Sequence, residues 1–148
     1  MFTLCSDQFM ILLSKICDVI PCPLPLLGER ISAGYPSPAE DWIEGSIDLN
    51  VELIKHPSAT FLFRVTGQSM IGIGIDEGDL LIVDRSTEPR HRSIVVAIVG
   101  PELTVKRLYR RGGVVRLDPE NPRFKSIELK DSEELSIWGV VRHTIKSF

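Results

Sequence analysis

Alternation of apolar and polar positions divides this chain into two unlike parts. Residues 60–66 (TFLFRVT) put Phe61, Phe63 and Val65 on one side of an extended segment and Leu62, Arg64 and Thr66 on the other. Residues 79–84 (DLLIVD) form a short apolar run between charged ends. Residues 93–99 (SIVVAIV) are apolar on both faces, the pattern of a strand covered on both sides. Gly100-Pro101 signals a turn. Segments 103–109 (LTVKRLY), 114–117 and 135–145 (LSIWGVVRHTI) bring the set to about six strands. A short helix is expected between residues 48 and 55, capped by Asp48 and stopped by Pro57. Many strands, Gly- and Pro-marked turns and little helix predict a mainly β fold, a compact domain of twisted antiparallel strands.

Residues 1–45 read differently. They hold five of the ten prolines, all three cysteines and no clear strand. The expected organisation is an extended N-terminal arm over 1–45 and a β-rich domain over 46–148. Residues 9–20 (FMILLSKICDVI) are apolar, but Lys15 and Asp18 interrupt a run already too short to span a membrane. The residues before it carry only Asp7, where a secretory signal would be positive. The segment therefore reads as a contact with this domain or with a second copy, in a cytoplasmic protein with no membrane partner.

Composition narrows the function classes. A chain of 148 residues suffices for one domain with a core, and 43% hydrophobic and 25% charged residues are ordinary for it. A net charge of -3 and a pI near 5.6 argue against gripping a phosphate backbone, so no strong direct DNA binding is expected. Work beside DNA, held there by a partner, is compatible with this charge. Cys5, Cys17 and Cys22 are odd in number and lack framework spacing, which suits a reducing compartment. His56, His91 and His143 show no ligand spacing with them, so neither a metal nor another cofactor is expected. No motif surrounds any of the three histidines, which speaks against a Ser-His-Asp site.

Two stretches carry candidate chemistry. In Val65-Thr-Gly-Gln-Ser-Met70 a strand ends at a glycine, and Ser69 follows with Gly72 and Gly74 just beyond. Such a turn can expose a serine hydroxyl and aim backbone N–H groups, here near Gln68 and Ser69, at one spot. A plain turn serine is the alternative. The second stretch is Leu103-Thr-Val-Lys-Arg-Leu108. On a strand, Lys106 shares its face with Thr104 and Leu108, and that semi-apolar face would disfavour the ammonium form. A neutral lysine can take a proton from serine. The alternative is a lysine that snorkels to water. Arg107, on the other face, reads as its solvated neighbour.

A third stretch lies in the arm. Ser32, Ala33 and Gly34 are small and precede Pro36-Ser-Pro38, which holds the chain extended. A peptidase cleft that takes its substrate as an added strand needs a slim, extended peptide of this kind.

Together these stretches resemble the LexA/UmuD family of self-cleaving Ser–Lys proteins, most of all UmuD-type mutagenesis subunits. The matching segments are ISAGYPSPAEDW, HPSATFLFRVTGQSM, DEGDLLIVDRS, SIVVAIV, LTVKRL and IWGVV, in family order over roughly residues 31–145. The resemblance implies a LexA-like β domain, Ser69 as nucleophile, Lys106 as general base and Ala33-Gly34 as the scissile bond. It implies a filament of RecA on single-stranded DNA as co-protease. It further implies a homodimer beginning at Gly34 that joins a UmuC-type Y-family translesion polymerase in SOS mutagenesis and DNA repair. One departure stands out: the family often has His-Gly where this chain has His91-Arg92, which bears on the shape of that turn.

Three other readings compete. A LexA-type repressor needs a helix-turn-helix domain before the cut, and 33 residues with few basic ones are too short for it. A signal peptidase needs a spanning anchor. A polymerase-binding scaffold with an idle dyad is compatible with the same residues.

Overall fold

The computed structural model describes residues 21–28, 31, 42–128 and 136–148. The chain's contacts divide it into two compact units, Met1–Ser58 and Ala59–Phe148.

In the first unit, β1 (Pro23–Leu27) pairs antiparallel with β2 (Ile43–Asp48), with Pro23 opposite Asp48 and Pro25 opposite Ser46. Residues 1–45 thus contain strand, against the expectation of none. Proline usually demotes a strand because it lacks a donor. Pro23 and Pro25 are two residues apart, so both can turn the missing donor away from β2, and a two-stranded ribbon has a free edge to receive them. Helix α1 (Leu49–Leu53) follows as its cap predicts, with the Asn50 N–H donating to Asp48 Oδ1 at 2.9 Å. Leu24, Leu26, Trp42, Ile43 and Val51 are all exposed, so this ribbon has no core of its own.

The second unit is one seven-stranded sheet in the order β3-β4-β9-β5-β6-β7-β8. Its strands are β3 (Thr60–Arg64), β4 (Leu80–Asp84), β5 (Ile94–Val99), β6 (Glu102–Arg111), β7 (Val114–Asp118), β8 (Ile127–Glu128) and β9 (Ser136–Ile145). Every neighbouring pair is antiparallel. The mainly β antiparallel fold expected from the pattern is the fold observed. Strand β5 lies between β9 and β6, which accounts for its two apolar faces: Val95 and Ala97 are fully buried in one core cluster and Val96 in the other. Alternation in β3 also holds, with Leu62 exposed and Phe61 and Phe63 packed edge-on against Trp138 of β9. Strand β8 went unread because two residues show no period.

Polar groups fasten the loops. Buried Asp84 accepts bonds from the N–H and hydroxyl of both Ser86 and Thr87, closing the turn after β4. Buried Asp79 accepts from Lys146 Nζ at 2.9 Å and from the Asp76 N–H at 2.9 Å. These partners, Lys146 first, hold the Asp79 carboxyl below its ordinary range.

The turn before β5 carries the departure at residue 92. Arg92 has φ 72, the left-handed conformation that glycine adopts freely. Its N–H donates to the Leu108 carbonyl at 2.7 Å, and its own carbonyl accepts from Arg107 Nη1 at 2.9 Å. The turn therefore takes the glycine conformation with an arginine in it. Left-handed backbone costs a non-glycine residue roughly 1–2 kcal/mol, partly offset in glycine by chain entropy of roughly 0.5–1 kcal/mol. Arg92→Gly is expected to stabilise the protein by up to about 1 kcal/mol, read as a higher urea midpoint at unchanged slope. A lower midpoint would mean that the arginine side chain contributes contacts worth more than the strain.

Candidate active site

Strand β3 ends at Arg64, and buried Val65 locks the exit: its N–H donates to the Asp79 carbonyl and its carbonyl accepts from the Gly78 N–H, both at 2.9 Å. Gly67, at φ 83, then reverses the chain. Met70 is only 1% exposed and plugs the core beneath the loop, while a single 3-10 turn, Ile71–Ile73, follows. Ser69 is held between these two anchors at the mouth of the core.

Lys106 comes from the middle of β6, opposite Val95 in the register. It is 7% exposed. Its Nζ donates to Ser69 Oγ at 2.8 Å, to Thr104 Oγ1 at 2.8 Å and to the Val105 carbonyl at 2.9 Å. Three acceptors match the three protons of an ammonium. Burial works against that charge and lowers the Lys106 pKa, so the neutral amine is reached at a lower pH than for a lysine in water. Once neutral, the same nitrogen can accept from the Ser69 hydroxyl along the same 2.8 Å line. Two residues 37 positions apart are thus brought into direct hydrogen-bond contact, the arrangement that a nucleophile and its base require.

A cavity of about 160 Å³ opens at Ser69, lined also by residues of β3 and its exit (Phe63 to Thr66) and by Leu103 to Val105 of β6. Strands β3 and β6 are separated by three others in the sheet, so the sheet must curl to bring them to one cavity. Among the described residues, β4 is the only strand that pairs with β3.

The loop bearing Ser69 is clamped from behind by residues 120–121. The Glu120 N–H donates to the Ser69 carbonyl at 2.8 Å, the Gly72 N–H donates to the Glu120 carbonyl at 2.7 Å, and Asn121 Nδ2 donates to the Gln68 carbonyl at 2.8 Å. Arg107 was expected to be solvated. It is instead partly buried and paired with the Glu120 carboxylate, because its face of β6 meets this clamp. Gln68 is exposed next to Ser69. Ala33 and Gly34 lie outside the described residues. None of the histidines lines the cavity; His91 Nδ1 accepts from the Arg110 N–H and its ring meets Tyr109 edge-on. Glu120, Asn121 and the contact at Gly72 were not legible in the sequence. Residues 119–122 (PENP) signal only a turn, and no periodicity points to a partner some fifty residues away.

The model of the Peptidase S24-like family matches residues 25–142, a span that includes Ser69 and Lys106. The chain belongs to this family. Its curated relatives agree. It is 44% identical over 123 residues to Protein ImpA of Salmonella typhimurium, covering 82% of each chain. It is 44% identical over 123 residues to Protein MucA of Escherichia coli, covering 82% of this chain and 84% of that one. It is also 44% identical over 126 residues to the LexA repressor of Mannheimia succiniciproducens, covering 84% of this chain but only 58% of the repressor. The resemblance to the LexA/UmuD family is borne out, and the family is one of serine peptidases. Among the described residues, no helix is long and apolar enough to cross a membrane.

Two outcomes test this geometry. A Cβ added at Gly72 would lie 2.3 Å from the Glu120 carbonyl oxygen, a backbone atom that cannot swing aside. Gly72→Ala should therefore cost on the order of 1–3 kcal/mol in thermal or urea unfolding; an unchanged midpoint would show that the clamp yields freely. For Lys106, the folded-state pKa lies below the unfolded value, so between the two the unfolded chain binds more protons and stability rises with pH. Lys106→Met should be more stable than the parent at low pH, with the gap closing as pH rises toward ~10.4. A gap independent of pH would mean that burial does not perturb this amine.

Proposed function

We propose that this protein is a serine endopeptidase that cuts its own chain between Ala33 and Gly34, with Ser69 as nucleophile and Lys106 as general base. The observation that supports the reading is the 2.8 Å contact of Lys106 Nζ with Ser69 Oγ, where burial favours the neutral amine and Ser69 lines a cavity. Lys106 takes the Ser69 proton as Oγ attacks the Ala33 carbonyl. Backbone N–H groups near Gln68 and Ser69 receive the oxyanion, each donor contributing roughly 3–4 kcal/mol if it resembles measured cases. On collapse, the Ala33–Gly34 bond breaks, the Lys106 ammonium returns its proton to the departing Gly34 nitrogen, and an Ala33 ester on Ser69 remains. Water, deprotonated by Lys106, then hydrolyses the ester and restores Ser69.

Strand β3 ends beside the cavity and, among the described residues, has a strand partner on one edge alone, which suits a substrate bound as an added strand; the composition of residues 31–38 suits a slim, extended one. The arm over 1–45 is on this reading a built-in substrate, and residues 46–148 are the peptidase domain. A filament of RecA on single-stranded DNA promotes the cut by favouring the docked arm, a shift in population rather than new chemistry. The shortened chain, Gly34–Phe148, acts as a dimer with a UmuC-type translesion polymerase in SOS mutagenesis, in the cytoplasm.

Intact mass after incubation at pH 7 and pH 10 tests the reading. The expected fragment begins at Gly34, forms faster at pH 10, and falls on the order of 10³-fold or more in Ser69→Ala and Lys106→Ala. A rate flat from pH 7 to 10 would remove Lys106 as the base. Absence of the fragment even with activated RecA filament would leave a polymerase-binding scaffold with an idle dyad.

A further inference from the structure

The clamp behind Ser69 has a consequence for the direction of its N–H groups. A peptide bond is planar, and no cis peptide is present among the described residues, so a carbonyl and the N–H that follows it point in opposite directions. Asn121 Nδ2 holds the Gln68 carbonyl at 2.8 Å, which turns the Ser69 N–H away from Asn121. The Glu120 N–H holds the Ser69 carbonyl at 2.8 Å from the same segment, which turns the Met70 N–H the same way. Among the described residues, neither the Ser69 nor the Met70 N–H donates to a protein group. Two adjacent free donors therefore face one side, opposite the clamp, on the residue whose hydroxyl meets Lys106.

Asn121 is built for this task. It is 5% exposed, and both ends of its amide are used: Nδ2 on Gln68, and Oδ1 accepting from the Arg123 N–H at 3.0 Å. Its own carbonyl accepts from the Phe124 N–H at 3.0 Å, so the turn that carries it is closed. The Gln68 loop needs such a restraint. Gly67 precedes it at φ 83, and a peptide next to glycine rotates with little steric resistance. The Glu120 bond restrains only the next peptide along.

The geometry points to Asn121 as the positioning residue that keeps the Gln68–Ser69 peptide in the orientation needed for the Ser69 N–H to serve as an oxyanion donor. Asn121 does not touch the reacting atoms; it acts through the backbone of the nucleophile. This assignment rests on the peptidase reading above, and its test has an arm that does not.

The variants are Asn121→Asp and Asn121→Ala. The aspartate keeps the shape and the bond from Arg123 but sets an acceptor against the Gln68 carbonyl. In self-cleavage followed from pH 7 to pH 11, Asn121→Asp should lower the plateau rate about 100-fold, the loss seen when one oxyanion donor is removed. Asn121→Ala, which adds no charge, should lower the plateau too, and in that variant the pH at which the rate is half its plateau should stay where it is in the parent, because Lys106 keeps its three partners. A parental plateau would overturn the proposal. So would a lowered plateau accompanied, in Asn121→Ala, by a shift of the profile toward an ordinary lysine, since Asn121 would then be holding the whole site together. The second arm is the crystal structure of Asn121→Ala and needs no activity. The Gln68–Ser69 peptide should be rotated or present in two orientations, with the Ser69–Lys106 contact kept. An unmoved peptide would overturn the proposal even if the parent chain never cleaves; loss of the fragment in the parent would count against the peptidase reading alone.

Discussion

The contact between Lys106 and Ser69 depends on putting an amine where water cannot solvate it. An unpaired ammonium in that place would be costly, and here three acceptors meet it. Two of them, Thr104 and Val105, belong to the lysine's own strand, so most of its compensation is local and arrives as soon as β6 forms. The third, Ser69, is non-local. The site is thus poised between an ammonium that is adequately bonded and an amine that burial favours, the balance that the proposed role of Lys106 as a base requires.

That balance makes demands on the rest of the fold. Lys106 can be buried only because β6 packs beside the innermost strand, where Val95 opposite it and Leu108 on its own face are fully covered. Ser69 can reach it only because the sheet curls enough for the exit of β3 and the start of β6 to share a cavity. Met70 below and residues 120–121 behind then remove the loop's freedom. A serine hydroxyl keeps such a contact only when its backbone is held in place; two hydrogen bonds donated by residues 120–121 hold it, and a third, from the Gly72 N–H to the Glu120 carbonyl, ties the loop back to the same turn.

The first unit obeys a different logic. Its ribbon leaves several large apolar side chains in water, while the second unit buries one cluster against each face of the central strand β5. On the proposed reading the arm is bound and cut, and such a segment gains nothing from a core of its own. Its prolines suit both an isolated ribbon and an extended substrate, because both use backbone that is already straight.

Local chemistry was legible from the residues alone. Alternation in 60–66, the two-faced run at 93–99 and the Asp48 cap each reflect interactions within a few residues, and each held in the fold. The glycine before Ser69 and the semi-apolar face of Lys106 were also local, so both could be named as candidates. What only the tertiary structure decided is everything that joins distant segments. Arg107 looked solvated because its partner Glu120 lies across the sheet, and Asn121 looked like a turn residue because the carbonyl it holds is 53 positions away. The strand at 23–27 was hidden because proline's effect depends on which edge it faces, and the edge exists only once β2 has paired. Sequence pattern reports which face of an element is buried; the partner that buries it is chosen by the closing of the sheet.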